Sequence, residues 1–297
     1  MFELISSGED YLMREGDVAI PLKKFSECKN RYSGSVFLLA SGGSAKEFPV
    51  SRYAHIPFIA MNGSILRLVD EKVRPLFFLC NDLDFPKERP DVVTLGCQYA
   101  QHVAMALENY SEVHSYDKTA LAGKSLYLLE RVNRYYNKKS VSDRSFAWSI
   151  RNDKDLISGF SLLRQRPNRI GFSKDVGRGH FCGRTIAYAA LQVVYTLGFR
   201  NIFIIGMDLN TATGRFYENP NSGLNTTTGH SYEKPNEVFP TSIDVYYEPF
   251  ILASFRFFQK NILEKQDDLR VFNLSLNSRL PDEVIPKISL DQLDQLL

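Results

Sequence analysis

Short, wholly apolar runs that end in glycine, asparagine or aspartate are the feature that most constrains the fold of this chain. They lack the alternation of a half-exposed strand, and flanking turn residues bound them, which is the pattern of strands buried on both faces. The sequence predicts such strands at Ser35–Ala40, Ile56–Asn62, Pro75–Asp82, the end of Gly183–Asn210, and LRVFNLS (269–275), with Asp91–Gly96 as a further candidate.

Segments with helical character lie between these runs. The stretch Gly183–Asn210 reads as a helix that runs directly into a strand. Because strands that alternate with helices form parallel sheets, we predict an α/β fold with a doubly wound, mostly parallel, Rossmann-like sheet in a single domain, 1–297. Further predicted helices are QYAQHVAMALENY (98–110), KSLYLLERVNRYYNKKS (124–140) and VYYEPFILASFRFFQKNILEK (245–265).

Two segments interrupt this alternation. Residues 116–170 are mixed and basic, and we predict that they form a helical insertion beside the sheet. Residues 211–244 are polar and rich in Gly, Asn, Thr and Pro, and they are long for a connection. Connections of that length in a compact domain are usually functional or disordered, so we predict a lid over the active site.

Composition excludes several classes of protein. The 36 basic and 34 acidic residues give a net charge of +2, whereas a nucleic-acid-binding protein would show a clear basic excess. The four cysteines lack a CxxC pairing, which is typical of reduced thiols in a cytosolic protein. The start of the sequence does not resemble a signal peptide, and no apolar run is long enough to span a bilayer. We therefore expect a cytoplasmic protein, with contact to a membrane surface left open.

Polar residues follow three of the predicted strands. Ser41-Gly42-Gly43-Ser44 comes after the first strand, Asn62 after the second, and Asn81 after the third. The carboxyl ends of parallel strands meet at one edge of the sheet, where nucleotides bind in such folds. The sequence therefore predicts a ligand crevice there, although a plain strand-to-helix turn is the alternative for Ser41–Ser44.

The predicted helix and strand of Gly183–Asn210 supply further candidates. Arg184 and Thr185 stand where the helix opens, beside backbone amides that have no helical partner, and this combination favours an anion. The alternative is a helix cap with a solvated arginine. Lys174 and Arg178 could add to the positive field. Gly206 and Asp208 stand where the strand ends, at the predicted crevice.

His230 is the histidine of the predicted lid. The imidazole titrates near neutrality, which suits a general base that deprotonates a hydroxyl, although most loop histidines are simply solvated. His55, His102 and His114 have no metal-like spacing, and the sequence has no HxxxH signature, so we predict no dedicated metal site. The stretch Ala122–Ser125 looks like the end of a phosphate-binding loop, but Lys118 stands where that motif requires glycine.

The order of these pieces resembles that of two related groups of bacterial glycosyltransferases. The first group is the family 42 sialyltransferases, which use CMP-sialic acid and have a variant of the GT-A fold. The segments FLLASGGSAKE, AMNGS, FLCNDLDF, LGFRNIFIIGMDLN and LSLNS are similar to motifs of that family. The residues that match are Ser41, Ser44, Asn62, Asn81, Gly206, Asp208, Asn277 and Ser278.

The second and closer resemblance is to the lipopolysaccharide-core enzymes that add a third 3-deoxy-D-manno-octulosonate (Kdo) residue. The run GFSKDVGRGHFCGRTIAYAALQVVYTLGF, followed by GMDLN and GRFYEN, is similar in order and wording, and RTIAYAALQ is its most specific part. Both groups use a CMP-activated ulosonic acid. The resemblance therefore implies an inverting, metal-independent transfer of Kdo from CMP-Kdo to a hydroxyl of the lipopolysaccharide core, without a cofactor.

The resemblance also implies roles for the candidate residues. His230 would be the general base, with Asp244 and Glu233 as alternatives, and Arg184 and Asp208 would join it as catalytic residues. Two alternatives for the function remain open, a sialyltransferase and a non-catalytic nucleotide-binding protein. The implied donor-binding residues are Ser41, Gly42, Ser44, Asn62, Asn81, Thr185, Gly206, Tyr217, Asn277 and Ser278; of these, Thr185 and Tyr217 would face the leaving phosphate with Arg184.

Overall fold

A computed structural model describes residues 1–7, 10–134, 139–210, 215 and 242–297. In chain order its strands are β1 (Glu3–Ser7), β2 (Asp10–Glu15), β3 (Val18–Leu22), β4 (Ser35–Leu39), β5 (Phe58–Met61), β6 (Phe77–Cys80), β7 (His102–Met105), β8 (Ser125–Leu128), β9 (Leu156–Ser158), β10 (Gly171–Ser173), β11 (Asn201–Ile205) and β12 (Arg270–Asn273). Its α-helices are α1 (Ile65–Asp70), α2 (Phe85–Glu88), α3 (Pro90–Tyr99), α4 (Leu107–Tyr116), α5 (Asp143–Ser149), α6 (Ile186–Leu197), α7 (Ser242–Tyr246), α8 (Ala253–Asn261) and α9 (Leu290–Leu296).

A seven-stranded parallel sheet forms the centre of the fold, in the order β12-β11-β4-β5-β6-β7-β8. This confirms the predicted doubly wound α/β class. From β4 the chain proceeds outward to β8, and it then returns to the other side of β4 to form β11 and β12. The strand order therefore reverses between β4 and β11. In open parallel sheets, ligands bind at the carboxyl ends of the strands at such a switch point.

Both faces of the sheet are covered, which explains the apolar runs of the sequence. Successive side chains of a strand point to opposite faces. In β4, Val36 and Leu38 pack with α6 and α8, whereas Phe37 and Leu39 pack with α1, α3, α4 and α9. Because every position of β4 after Ser35 is buried, the sequence shows a continuous apolar run there instead of an alternation.

The predicted helix and strand of Gly183–Asn210 are confirmed as α6 and β11. Residues 245–265 are also helical, as predicted, in the order α7, a π-helix at Tyr247–Leu252, α8 and a short 3-10 helix. Where α7 meets the π-helix, the backbone hydrogen bonds widen by one residue, a feature often found at functional sites. The predicted last strand is confirmed as β12.

Three secondary-structure predictions are wrong. Asp91–Gly96 belongs to helix α3, which has Pro90 at its first position, a favourable place for proline. Residues 98–110, predicted as a helix, contain strand β7 followed by the start of α4. Residues 124–140, also predicted as a helix, begin with the edge strand β8.

The predicted insertion, 116–170, contains strand β8 of the main sheet, helix α5 and strand β9. Strand β9 pairs with β10 as a small antiparallel ribbon. The antiparallel sheet β1-β2-β3, which precedes the main sheet, was not predicted from the sequence. The division into one domain with an insertion stays a prediction.

Most of the predicted lid, 211–244, lies outside the described residues. Of its described members, Arg215 forms an isolated antiparallel bridge with Gly42, directly after β4. Within the described part of the chain, no helix is long and apolar enough to cross a bilayer.

Candidate functional site

Ser44, Asp208 and Ser275 meet at the switch point between β4 and β11, and we call them the strand-end cluster. The Ser44 amide donates to Asp208 Oδ2 at 2.9 Å, and the Ser44 hydroxyl donates to Asp208 Oδ1. The Ser44 and Ser275 Oγ atoms lie 2.8 Å apart. Two elements that the sequence predicted to share an edge are therefore joined by a buried carboxylate whose two oxygens both accept hydrogen bonds.

Two glycines permit this close approach of the strand ends. The Gly42 amide donates to the Gly206 carbonyl at 2.9 Å. A Cβ on Gly42 would lie 2.4 Å from the Gly206 oxygen, and Gly206 has φ +72°, a conformation that side chains rarely adopt. Both were predicted to bind donor, and their observed contribution is to let the backbones meet.

The turn after β12 holds the segment that carries Asp208. The Met207 amide donates to Ser275 Oγ at 3.1 Å, and the Ser278 hydroxyl donates to the Met207 carbonyl at 2.6 Å. Ser278, a predicted donor-binding residue, is therefore buried against the backbone, whereas its neighbour Asn277 is exposed. Ser275 was missed by sequence reasoning, although it lies in the same LSLNS motif.

Asn62, directly after β5, combines a left-handed backbone conformation with a buried side-chain oxygen that lacks a partner. Its backbone adopts φ +49°, which asparagine tolerates better than most residues. Its side-chain oxygen is buried and has no hydrogen-bond partner among the described residues. A buried acceptor without a partner costs about 1–3 kcal/mol, so native proteins rarely keep one unless it has a use. This observation supports the predicted ligand role of Asn62.

Asn81 at the end of β6 contacts a histidine that the sequence analysis did not assign. Asn81 Nδ2 lies 2.7 Å from His180 Nε2, and His180 Nδ1 lies 3.3 Å from the Phe181 carbonyl. The neutral ring with its proton on Nδ1 fits both contacts, because Nε2 then accepts from Asn81. Burial is the main cause that lowers the pKa of His180, to about 4.

We expect His180 to make the protein sensitive to acid. Its ordinary pKa of 6.5 applies to the unfolded chain, which therefore takes up the proton more readily than the folded protein does. Stability should fall as the pH decreases from about 6.5 to about 4, by about 3 kcal/mol from this group. Urea unfolding at pH 7 and pH 4.5 should show a smaller acid loss for His180→Gln than for the wild type. The exposed His55→Gln is the control, and an equal acid loss in all three proteins would contradict the expectation.

A pocket of about 200 Å³ lies beside His180 and collects arginines from three separate parts of the chain. Asp143 is the carboxylate among its lining residues and pairs with Arg169 at 2.5 Å, which leaves a strong positive excess. We call it the arginine pocket. Its lining residues are Arg131, Val132, Asn133, Arg134, Asp143, Phe146, Asn168, Arg169, His180, Phe181, Cys182, Arg184 and Phe250.

Arg184 and Thr185 stand before the first residue of α6, as predicted. Arg184 is exposed, has φ +59°, and places its guanidinium 4.4 Å from the ring centre of Tyr246. Thr185 is the N-cap residue, but its side chain makes no capping hydrogen bond. The Thr185 side chain therefore does not cap the helix, whereas the exposure of Arg184 fits the solvated alternative as well as a ligand role, and both stay predicted ligands. Arg178, in contrast, is held by Asp153 through two contacts of 2.9 and 2.6 Å.

Gln192, which the sequence analysis missed, fixes the loop that carries His180. Its side-chain oxygen accepts from the Ser173 and Phe181 amides, each at 2.9 Å, and its nitrogen donates to the Phe181 carbonyl at 2.9 Å. This buried glutamine closes the motif RTIAYAALQ. It therefore ties helix α6 to one wall of the arginine pocket.

The candidates for the general base and one predicted phosphate ligand are described only in part. Tyr217, His230 and Glu233 are outside the described residues. Asp244, the other alternative base, forms an ion pair with Arg279 at 2.7 Å. Among the residues with described positions, no group of three or more His, Cys, Asp or Glu side chains could hold a metal ion, and the metal-free reaction stays a prediction.

Comparison with known proteins decides the family. The family model of the 3-deoxy-D-manno-octulosonic acid transferase WaaZ matches residues 22–291. The chain belongs to this family of Kdo transferases. It is a glycosyltransferase, and the resemblance stated from the sequence is confirmed. The sialyltransferase alternative is the weaker one, because the matching model describes Kdo transferases.

Two curated relatives agree with this assignment. A probable 3-deoxy-manno-octulosonic acid transferase of Escherichia coli is 26% identical over 269 residues, which cover 89% of this chain and 86% of the relative. The corresponding protein of Salmonella typhimurium is 27% identical over 266 residues, with coverage of 89% and 90%.

Similar solved structures include two bacterial glycosyltransferases. The MAf glycosyltransferase of Magnetospirillum magneticum has a TM-score of 0.46 at 13% identity; the match covers 86% of this chain and 33% of that protein. The sialyltransferase CstII of Campylobacter jejuni, in complex with cytidine-5'-monophosphate, has a TM-score of 0.39 at 14% identity, with coverage of 84% and 83%.

Proposed function

We propose that this transferase moves Kdo from CMP-Kdo to a hydroxyl of the lipopolysaccharide core, with inversion and without a metal ion or other cofactor. The family to which the chain belongs indicates that the transferred sugar is Kdo. The observation that carries the location of the reaction is the strand-end cluster, which stands at the switch point of a parallel sheet, where such folds bind nucleotides.

The donor would lie across the carboxyl ends of β4, β5 and β6. Asn62 is the best candidate to hold cytidine or ribose, because its buried oxygen needs a donor. Asp208 already accepts two hydrogen bonds from Ser44. Its proposed role is therefore to fix the turn after β4 in the shape that CMP requires.

The chemistry of the donor defines what the remaining residues must do. The anomeric carbon of a CMP-ulosonic ester forms an oxocarbenium ion readily, so the enzyme must stabilise the departing phosphate and remove the proton of one acceptor hydroxyl. Arg184, Thr185 and the amides that open α6 offer positive charge and donors for the phosphate. The lid would exclude water, which otherwise hydrolyses the donor.

The arginine pocket would receive the carboxylate-bearing sugars. Kdo is an acid, and a lipopolysaccharide core that already carries Kdo residues is anionic. Arginine presents a fork of donors that matches a carboxylate. The pocket reaches the strand ends through His180, which contacts Asn81. Donor and acceptor anions would thus meet close to Arg184.

The test of the donor site is a change that keeps the backbone of residue 62. Asn62→Gly permits the observed φ and removes the unpartnered oxygen, so stability should stay the same or rise. The affinity for CMP, measured by titration calorimetry in the presence of a chelator, should fall about tenfold, which corresponds to one lost hydrogen bond.

Asn30→Gly is the matched control, because Asn30 is also an asparagine at positive φ but is exposed. It should leave CMP affinity unchanged. Unchanged CMP affinity in Asn62→Gly would remove Asn62 from the site. Stronger binding of UDP than of CMP by the wild type would contradict the proposed donor.

A further inference from the structure

Four large apolar side chains project from α5 and from the loop after β9, and we call them the Trp148 surface. The exposed fractions are 51% for Trp148, 37% for Phe160, 68% for Leu162 and 94% for Leu163. Single exposed apolar residues are common on proteins, but a group of them marks an interaction surface.

This surface is built on an ordered framework. The ring centres of Trp148 and Phe160 lie 5.2 Å apart. Asn168 is buried, and its side chain accepts from the Ser161 amide at 2.9 Å and donates to the Ser161 and Arg164 carbonyls, each at 3.0 Å. The loop that presents Leu162 and Leu163 to solvent is therefore held in place from within.

Arginines lie on the same two segments of the chain as the apolar side chains. Arg151 places its guanidinium 4.0 Å from the ring centre of Trp148 and also donates to the Trp148 carbonyl. Four arginines of these segments are exposed, and none of them pairs with a carboxylate among the described residues, unlike Arg169, which pairs with Asp143. They are Arg144, Arg151, Arg164 and Arg166.

We propose that the Trp148 surface docks on an anionic lipid bilayer, with the leucines and aromatic rings in the interfacial region and the arginines against lipid headgroups. Tryptophan favours the membrane interface, and basic side chains near anionic lipid add attraction that salt weakens. The charge of these arginines selects a bilayer over a second copy of this chain, because four arginines without a carboxylate partner would repel their own copies.

The surface adjoins the arginine pocket through shared elements. Helix α5 gives Asp143 and Phe146 to the pocket and Trp148 to the surface, and the 3-10 helix Arg166–Arg169 contributes to both. Docking would thus bring the pocket close to the headgroups, where a lipid-anchored core oligosaccharide lies. This orientation rests on the proposed function, whereas bilayer binding itself does not.

The chain contains one tryptophan, so its intrinsic fluorescence reports on this surface directly. Vesicles of phosphatidylethanolamine and phosphatidylglycerol should shift the Trp148 emission to shorter wavelength, and vesicles of phosphatidylcholine alone should not. The double variant Leu162→Ser, Leu163→Ser should lower partitioning to the anionic vesicles about tenfold or more. The variant Arg164→Gln, Arg166→Gln should lower it about tenfold and weaken its salt dependence.

Leu83→Ser is the matched control, because Leu83 is an exposed leucine outside this surface, and its partitioning should equal that of the wild type. Circular dichroism verifies that each variant is folded. Absence of the emission shift with anionic vesicles, equal partitioning of the leucine variant, or a wild-type dimer that the leucine variant abolishes would each overturn the proposal.

Discussion

Replacement of Arg184 by alanine is expected to lower kcat by about 10²–10³-fold, with a smaller change in the affinity for CMP. Loss of one preorganised group that stabilises developing charge has this magnitude. Arg184 stands before α6 with its side chain exposed and lines the arginine pocket together with His180. Its exposed guanidinium, which lies over the Tyr246 ring, is proposed to meet the phosphate as the phosphate leaves. Initial rates of CMP release in the presence of acceptor would measure the loss.

Two further variants separate this role from a structural one. Arg184→Lys keeps the charge but not the planar fork, so it should recover part of the rate. Arg14→Ala removes an exposed arginine on β2 and should leave the rate unchanged. Normal turnover by a folded Arg184→Ala enzyme would show that Arg184 is only a solvated residue beside the helix.

Replacement of His230 by alanine is expected to abolish most transfer, with a loss of about 10²–10⁴-fold, which is typical when a general base is removed. CMP binding should persist, because the proposed nucleotide contacts lie at the strand ends. The acidic limb of the pH–rate profile should disappear with the histidine. This prediction rests on the sequence alone, since His230 is outside the described residues.

Asp244 and Glu233 are the alternative bases with which His230 is compared in this experiment. Asp244 forms an ion pair with Arg279 at 2.7 Å. If this pairing is its role, Asp244→Asn should lower the stability of the protein more than the rate of transfer. Near-normal transfer by His230→Ala with an intact acidic limb would exclude the histidine and direct attention to Glu233 and Asp244.

The strands at the centre of the sheet could be predicted because burial on both faces leaves an unbroken apolar run. Strands β4, β5, β6 and β11 were found in this way, and the polar residues that follow them correctly indicated the shared edge. The contact between Ser44 and Asp208, which are far apart in sequence, follows from that topology.

The same signal failed where a helix is equally buried. Val92 and Val93 of α3 are both buried, so a short apolar run with β-branched residues was mistaken for a strand. Strands β7 and β8 are four residues long, and polar neighbours gave them the spacing of a helix. In these places tertiary contacts decide the local structure.

The supporting residues of the site were beyond prediction from the sequence. The arginine pocket draws on Arg131, Arg169 and Arg184, which only the folded chain brings together. Gln192 and Ser275 act through hydrogen bonds to backbone groups of distant loops. No local sequence pattern predicts such contacts, whereas a polar residue directly after an apolar run can be placed at the end of a strand from the sequence alone.

One measurement tests the central claim, which is that the protein transfers Kdo from its CMP ester. The purified protein would be incubated in a chelator with CMP-Kdo and lipopolysaccharide-core oligosaccharide, and both CMP and the sugar product would be quantified by mass spectrometry. We predict one Kdo added to the oligosaccharide for each CMP released, with little release when the acceptor is omitted. Failure to form the Kdo-bearing product, while CMP-sialic acid or a UDP-sugar serves as donor, would contradict the account.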